Sequence, residues 1–156
     1  MGAYYPLLVF HSCFRWLVLG SIALSLYRAY RGWKGKKLFS RTDNSIRHIT
    51  ATIAHIQLLI GISLYFISPL IKYFLGDFGK AVHDRQIRFF GMEHSLMMLV
   101  GITILTIGSA KAKRKTTDNE KHRTVAIWYT VALLVILSSV PWAFSPLVSR
   151  PWVRWF

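Results

Sequence analysis

The sequence predicts an all-α integral membrane protein: an antiparallel bundle of four transmembrane helices with both termini on the outer (periplasmic) side. Hydrophobic residues make up 53% of the 156 residues, and the mean hydropathy is +0.37. A chain of this size with this composition is too apolar for an ordinary water-soluble domain. All but one of the Lys and Arg residues lie outside the apolar runs. Residues 1–156 are therefore expected to form a single membrane domain.

Four apolar runs are long enough to cross the ~30 Å hydrocarbon core of a bilayer, which takes ~20 helical residues. They cover about 6–27, 48–68, 89–110 and 124–147. Each run is predicted to be a helix, because an open strand in lipid would leave its backbone polar groups unpaired. Pro141 predicts that the last helix either kinks there or ends and continues as an interfacial segment.

The basic residues predict the orientation of the spans. The connectors 28–47 and 111–123 hold 7 and 6 of the 20 Lys and Arg residues. The positive-inside rule places both connectors in the cytoplasm. Their charge is expected to contact anionic lipid of the bilayer. The sequence has no nucleic-acid-binding motif, so we expect no nucleic-acid partner.

The N-terminal end of the first span does not have the features of a removable signal peptide. The N-terminus lacks a basic n-region and a small-residue cleavage pattern, so the first span is expected to remain in the mature protein.

In the connector 68–88, apolar residues recur at helical spacing, at Ile71, Phe74, Leu75 and Phe78. This pattern predicts a segment along the outer membrane surface, with a lid over an outward-facing site as the alternative.

Ionisable residues inside a span are costly to insert, so each is a candidate functional residue. The candidates are Arg15, Glu93, His11, His55 and His94. From the ~1.5 Å helical rise, His11 and His94 should both lie ~8 Å below the outer boundary. Their spans occupy diagonal corners of an up-down bundle. Two histidines at one depth on opposite helices can ligate a planar macrocycle from both sides.

Other interpretations of the histidines remain open at this stage. His11 and His94 could instead be satisfied by hydroxyls or backbone carbonyls in a packed bundle. His55 is ~20 Å deep and His122 lies at the cytoplasmic edge of the fourth span, so their depths differ. His48 matches the depth of His122 better. A second, inner site is therefore only an alternative.

Arg15 lies one turn from His11 on the same helix face. A buried guanidinium needs an anionic partner, which could be Glu93 or a ligand carboxylate such as a haem propionate. An Arg15–Glu93 pair that fixes helix register is the structural alternative. A different alternative is a site for a metal ion such as zinc or copper, or a proton relay. Its residues would be His11, His94, His55 and Glu93.

Several catalytic classes are excluded by what the sequence lacks. The single Cys13 excludes an internal disulfide and multi-cysteine metal motifs. No nucleotide-binding loop, HExxH motif or CxxCH motif is present. We also expect no soluble catalytic domain.

Each predicted span contains a distinctive segment. In order, they are "FHSCFRWLVL", "HIQLLIGISLYFISP", "RFFGMEHSLMMLVGITILTIG" and "KHRTVAIWYTVALLVILSSVPWAF". Together they resemble a family of short bacterial four-helix membrane proteins called cytochrome b, and the resemblance covers nearly the whole chain. It implies a multi-pass protein of the bacterial inner (cytoplasmic) membrane, with a b-type haem in the bundle and electron exchange with membrane quinone.

The resemblance also implies roles for individual residues. The ligand candidates are His11 and His94 and, less directly, His55 and His122; the supporting polar residues are Arg15, Arg88 and Glu93. The chain lacks the two well-matched histidine pairs of di-haem four-helix cytochromes b, so we expect one haem b, with two as the alternative. The predicted function is haem-based electron transfer between quinone and a redox partner or membrane complex, as a component of a quinone-linked oxidoreductase. The alternatives are a non-haem metal-binding or proton-relay protein or transporter, and a structural or assembly subunit of a membrane complex.

Overall fold

A computed structural model of the chain describes residues 3–142 and 148. The regular structure in this part is helical, as the sequence predicts. The helices are α1 (Tyr4–Lys34), α2 (Arg41–Ile67), α3 (Pro69–Gly76), α4 (Phe78–Ala81), α5 (Arg85–Arg114) and α6 (Asp118–Ser138). Near its start, α5 contains one π-helical turn, Phe89–Glu93.

The four long helices pack as a ring. Helix α1 contacts α2 and α6, and α5 contacts the same two helices. Helices α1 and α5 therefore lie diagonally opposite each other, as do α2 and α6. Neighbours run antiparallel: α1 is bonded to α2 through Arg28 and Asp43 at one end of the bundle, and through His11 and Gln57 towards the other. The helices that carry His11 and His94 thus face each other across the bundle axis.

Helices α1, α2 and α5 are each long and apolar enough to cross a membrane. Helix α6 is not among these within the described residues. It ends at Ser138, three residues before Pro141, so the helix stops before the proline and does not kink at it. The end of the predicted span 124–147 and the predicted interfacial segment lie mostly outside the described residues. A fourth membrane crossing and the placement of both termini stay predictions.

The helices extend beyond the predicted spans at the basic end of the bundle. The first basic connector shortens to residues 35–40, because α1 continues to Lys34 and α2 begins at Arg41. A capping box starts α2: Ser40 Oγ accepts from the Asp43 N–H at 3.2 Å, and the Asp43 carboxylate accepts from the Ser40 N–H at 2.9 Å. Thr117 caps α6 in the same way, by accepting from the Glu120 N–H. Many of the predicted loop cations are therefore carried on helical extensions.

Glycines set the close contact between α5 and α6. A Cβ added at Gly101 would lie 2.8 Å from Ile136 Cγ1, and one added at Gly108 would lie 2.2 Å from Trp128 Cβ. Both distances are too short for a side chain, so only glycine permits this approach of the helices.

The predicted helical spacing in the second connector corresponds to α3 and, at Phe78, to the start of α4. Ile71 and Phe74 are buried, whereas Leu75 and Phe78 are exposed. A Cβ at Gly91 would lie 2.5 Å from Phe74 Cγ, so the phenyl ring rests directly on the π turn of α5. Helix α3 is therefore packed onto the bundle at the end where α5 begins. Its position relative to a membrane surface stays a prediction.

Candidate functional site

His11 of α1 and His94 of α5 face each other across the bundle. Their ring centroids are 6.4 Å apart, and the ring planes are inclined by 77°. At the ~2 Å metal–nitrogen distance typical of imidazole ligands, two imidazoles on one metal place their centroids ~6 Å apart. The structure thus brings together the two histidines that the sequence places at one depth, at a separation suited to two ligands of one metal centre.

The orientation of the His94 ring is fixed by the end of α6. Its Nδ1 lies 2.7 Å from the carbonyl oxygen of Ser139. Because a carbonyl only accepts, Nδ1 carries the proton and Nε2 carries the lone pair. Carbonyls at a helix C-terminus lack intrahelical donors, so this bond also gives a hydrogen-bond donor to a carbonyl at the end of α6. Histidines that ligate metals commonly make this kind of bond through their other nitrogen.

The π turn Phe89–Glu93 comes immediately before His94. Such turns are rare and often occur at functional sites. Here the Gly91 carbonyl oxygen accepts a 3.0 Å hydrogen bond from the Tyr65 hydroxyl of α2. The buried Phe89 ring lies 5.8 Å from the His94 ring, centroid to centroid. The distorted turn is therefore bonded to α2 through Tyr65, and its own Phe89 ring packs beside His94.

His11 has an unsatisfied ring nitrogen. Its Nδ1 is buried and has no hydrogen-bond partner within residues 3–142 and 148. A Cβ at Gly61 would lie 3.2 Å from His11 Cε1, so α2 approaches the ring through a glycine. The Gln57 side chain donates a 3.0 Å bond to the His11 carbonyl and anchors the backbone. A buried polar atom without a partner is costly, and binding a ligand would remove that cost.

Glu93 does not form the predicted pair with Arg15. Its Oε1 lies 2.7 Å from Arg88 Nε, and both side chains are about one-third exposed. A π turn places residues five apart on one face, which explains the choice of Arg88 as partner. The Arg15 guanidinium lies 5.3 Å from the centroid of the Trp16 ring. Its charge is within electrostatic reach of both imidazoles of the site.

The other two ligand candidates lie in different surroundings. His55 is exposed, and its Nε2 is 2.9 Å from Thr106 Oγ1. His122 is buried, with Nε2 3.4 Å from the Leu38 carbonyl oxygen. In the described part of the chain, no group of three or more His, Cys, Asp or Glu side chains is placed to hold a metal ion. The structure therefore does not assemble one ligand set from the four residues of the predicted metal site, His11, His94, His55 and Glu93.

A buried polar cluster at the opposite end of the bundle was not predicted. Arg47 is only 5% exposed. Its Nη1 donates to the Ser109 carbonyl at 2.9 Å and to the Ser109 hydroxyl. The charge pattern of the sequence predicts Arg47 to be a loop cation, but it lies inside α2. The available signal was a helical stripe of residues that pack together at spacings of three and four, Asp43, Arg47, Thr50 and Ala54.

Asp43 and His122 complete this inner cluster. Asp43 lies in the first turn of α2, ahead of the predicted span, and its Oδ1 is 2.7 Å from Arg28 Nε. Burial by itself would raise the pKa of the Asp43 carboxyl, but hydrogen bonds from Ser40 and Arg28 outweigh burial and lower that pKa. A cavity of about 10 Å³, lined in part by Arg28, Asp43, Arg47 and His122, has room for about one water. The cluster joins helices in the interior.

The chain matches no protein-family model, no curated protein and no solved structure. The chemistry of the His11–His94 pair therefore has to be inferred from its geometry. One imidazole is held in the tautomer that ligates through Nε2, and the other has a buried nitrogen with no hydrogen-bond partner in the described part of the chain. With the nearby charge of Arg15, the site therefore combines two histidine nitrogens and one cation.

Proposed function

We propose that this protein binds haem b between His11 and His94 and transfers electrons in the membrane. The observation that carries the proposal is the 6.4 Å separation of the two imidazole centroids on diagonally opposite helices. A bare zinc or copper ion would need three or four protein ligands. A haem iron needs only two, because the macrocycle supplies the other four. Two opposed histidines, with no third ligand placed beside them among residues 3–142 and 148, therefore favour haem over a bare metal ion.

Each residue of the site has a role in this proposal. His94 would ligate through Nε2, with its ring held by the Ser139 carbonyl. His11 would ligate from the opposite helix. The guanidinium of Arg15 would offset the negative charge of a propionate. Bound haem would supply a one-electron carrier whose potential depends on its ligands, hydrogen bonds and burial. The buried Phe89 ring excludes water beside His94.

An optical spectrum of the purified full-length protein tests the proposal. The oxidised and then dithionite-reduced protein should show a Soret band and an alpha band of b type. His94→Ala and His11→Ala should each lose the bands while circular dichroism shows an unchanged helix content. His48→Ala is the matched control, because His48 is an exposed histidine of α2 outside the proposed site, and it should keep both bands. Full haem content in both site variants would overturn the proposal.

The alternative functions give different results in the same preparation. The preparation could contain stoichiometric zinc or copper and no haem, and Glu93→Gln could lose that metal. This result would show a non-haem metal site in place of the proposed haem site. A folded protein free of both pigment and metal would point to a structural or assembly subunit.

Electron exchange with quinone is the part of the proposal that is supported only by the family resemblance. The chemically reduced protein should be reoxidised by a short-chain quinone analogue, measured as loss of the reduced alpha band. An unreactive reduced band would contradict the quinone step while leaving haem binding intact.

A further inference from the structure

An open cleft lies at the other end of the bundle from the His11–His94 pair, between the end of α5 and the start of α6. Its volume is about 460 Å³. Its lining combines three cations with a hydroxyl and an indole, from Lys111, Arg114, Lys115, Thr124 and Trp128. None of these residues belongs to the proposed haem site.

The residues that line the cleft lie where the end of α5 and the start of α6 face each other. Lys111 and Arg114 are three residues apart and share one face of α5, and Lys115 follows directly as the C-cap residue of that helix. Thr124 and Trp128 are four residues apart and share one face of α6. The Trp128 side chain passes over Gly108, where a Cβ would lie only 2.2 Å from Trp128 Cβ. The glycine therefore fixes the indole as the inner wall of the cleft.

The cleft keeps a net positive charge. Lys115 is partly neutralised by Glu120, since Nζ and Oε1 are 3.4 Å apart in an exposed pair. Lys111 and Arg114 form no ion pair within the described residues. The Lys111 ammonium lies 4.5 Å from the centroid of the Trp128 ring, a cation–π contact that holds it at the cleft. Two cations are thus available to an anion, beside a hydroxyl that can donate to it.

We propose that this cleft binds the phosphate group of an anionic membrane phospholipid. It lies where the predicted third span ends, at 110, and the predicted fourth begins, at 124, which is the level of the lipid headgroups. Tryptophan favours this level because its ring is apolar and its N–H is polar. Basic pockets between transmembrane helices on the cytoplasmic side are typical sites for such headgroups. Lys111, Arg114 and Thr124 would hold the phosphate, and Trp128 would contact the glycerol region.

Tryptophan quenching by brominated lipid tests the proposal. The full-length protein is placed in phosphatidylcholine vesicles that contain brominated phosphatidylglycerol or, separately, brominated phosphatidylcholine. Subtracting the signal of Trp128→Phe isolates the Trp128 emission from that of the other tryptophans. We expect phosphatidylglycerol to quench Trp128 at a lower mole fraction than phosphatidylcholine. Equal quenching by the two lipids would overturn the proposal.

Charge variants localise the effect. The double variant Lys111→Gln/Arg114→Gln should weaken the preference for phosphatidylglycerol by about fivefold per cation removed. The control Lys34→Gln/Lys36→Gln removes the same charge from the other basic connector and should keep the preference. An equal loss in both variants would show a diffuse surface charge and no site. Lys111→Arg keeps the positive charge and should retain binding, and circular dichroism should show an unchanged helix content in the double variant.

A soluble anion is the other source of the same chemistry. Excess inorganic phosphate, added to the vesicles at constant ionic strength, should leave the phosphatidylglycerol-specific quenching unchanged. If inorganic phosphate abolishes it, the cleft binds free phosphate, and the assignment to lipid is wrong.

Discussion

The hydroxyl of Tyr129 donates a 2.8 Å hydrogen bond to the backbone carbonyl oxygen of Arg47. Tyr129 is fully buried, and the bond connects α6 to α2, which are diagonal and not neighbouring helices. The other diagonal pair of helices is α1 and α5. His11 of α1 and His94 of α5 lie close together at the opposite end of the bundle. Each diagonal pair of helices therefore meets through polar side chains at a different end.

Tyr129→Phe should destabilise the protein. The variant removes the donor to the Arg47 carbonyl in a buried place, which typically costs about 0.5–1.5 kcal/mol. The measurement is the thermal unfolding midpoint in detergent. Tyr27→Phe is the matched control, because Tyr27 is 62% exposed and should change the midpoint little. Equal midpoints for Tyr129→Phe and the parent protein would contradict a buried bond.

Gly32→Ala should destabilise the end of the bundle that holds His122. Its Cβ would lie 2.2 Å from His122 Cε1, so the imidazole would have to move. Overpacking of this kind costs about 1–3 kcal/mol, and the better helix propensity of alanine returns about 1 kcal/mol of it. Gly20→Ala, on the same helix with nothing within 4 Å of its Cβ, should be neutral or stabilising. A Gly32→Ala protein as stable as Gly20→Ala would show that His122 does not pack there.

Asp43→Asn should lower stability in a pH-dependent way. Because folding lowers the pKa of Asp43, its carboxylate stabilises the folded state above the unfolded pKa of ~3.9. That contribution is lost as the pH falls through the lower folded pKa. We expect Asp43→Asn to be about 1–2 kcal/mol less stable than the parent protein at neutral pH, with the difference closing below pH ~4.

Unfolding midpoints measured across this pH range check the prediction for Asp43. Asp118→Asn serves as the control, because the Asp118–Lys121 pair is long at 3.8 Å and only half-buried, and should contribute little. A deficit of Asp43→Asn that stays constant from neutral to acidic pH would show that the ion pair with Arg28 is not its cause.

Arg15→Gln should lower the midpoint potential of the proposed haem. A nearby positive charge favours the reduced state, so removing it should shift the potential downward by tens of millivolts. Spectroelectrochemical titration of the alpha band measures the shift. Arg31→Gln, an exposed cation at the far end of the same helix, should leave the potential unchanged. An unchanged or higher potential in Arg15→Gln would remove Arg15 from the proposed site.

Depth along a helix could be predicted from the sequence, whereas rotation about the helix could not. His11 and His94 each lie five residues into spans of the same direction, and the constant helical rise makes their depths equal. Whether the two rings face each other depends on how all four helices pack. The same limit applies to His55, whose ring is exposed on α2 and contacts Thr106.

The π turn and the inner cluster were missed for different reasons. One turn with i→i+5 bonds leaves the apolar pattern of 89–110 almost unchanged, so hydropathy does not reveal it. Arg47 was missed because charge was used to mark a loop. The S-x-x-D pattern of Ser40 and Asp43 is a helix start signal that places Arg47 inside α2. Capping residues were therefore better guides to the helix boundary than charge.

Because of the π turn, the residues before and after it in α5 point in different directions around the helix axis. An α-helix advances ~100° per residue, so one extra residue in a turn offsets everything before it by about that angle. Gly91 can then face Phe74 of α3 while Leu105 and Gly108 face the bundle interior. Deletion of one residue within 89–93 would remove the rotation between the parts of α5 before and after the turn. The protein would then lose either the docking of α3 or the alignment of His94.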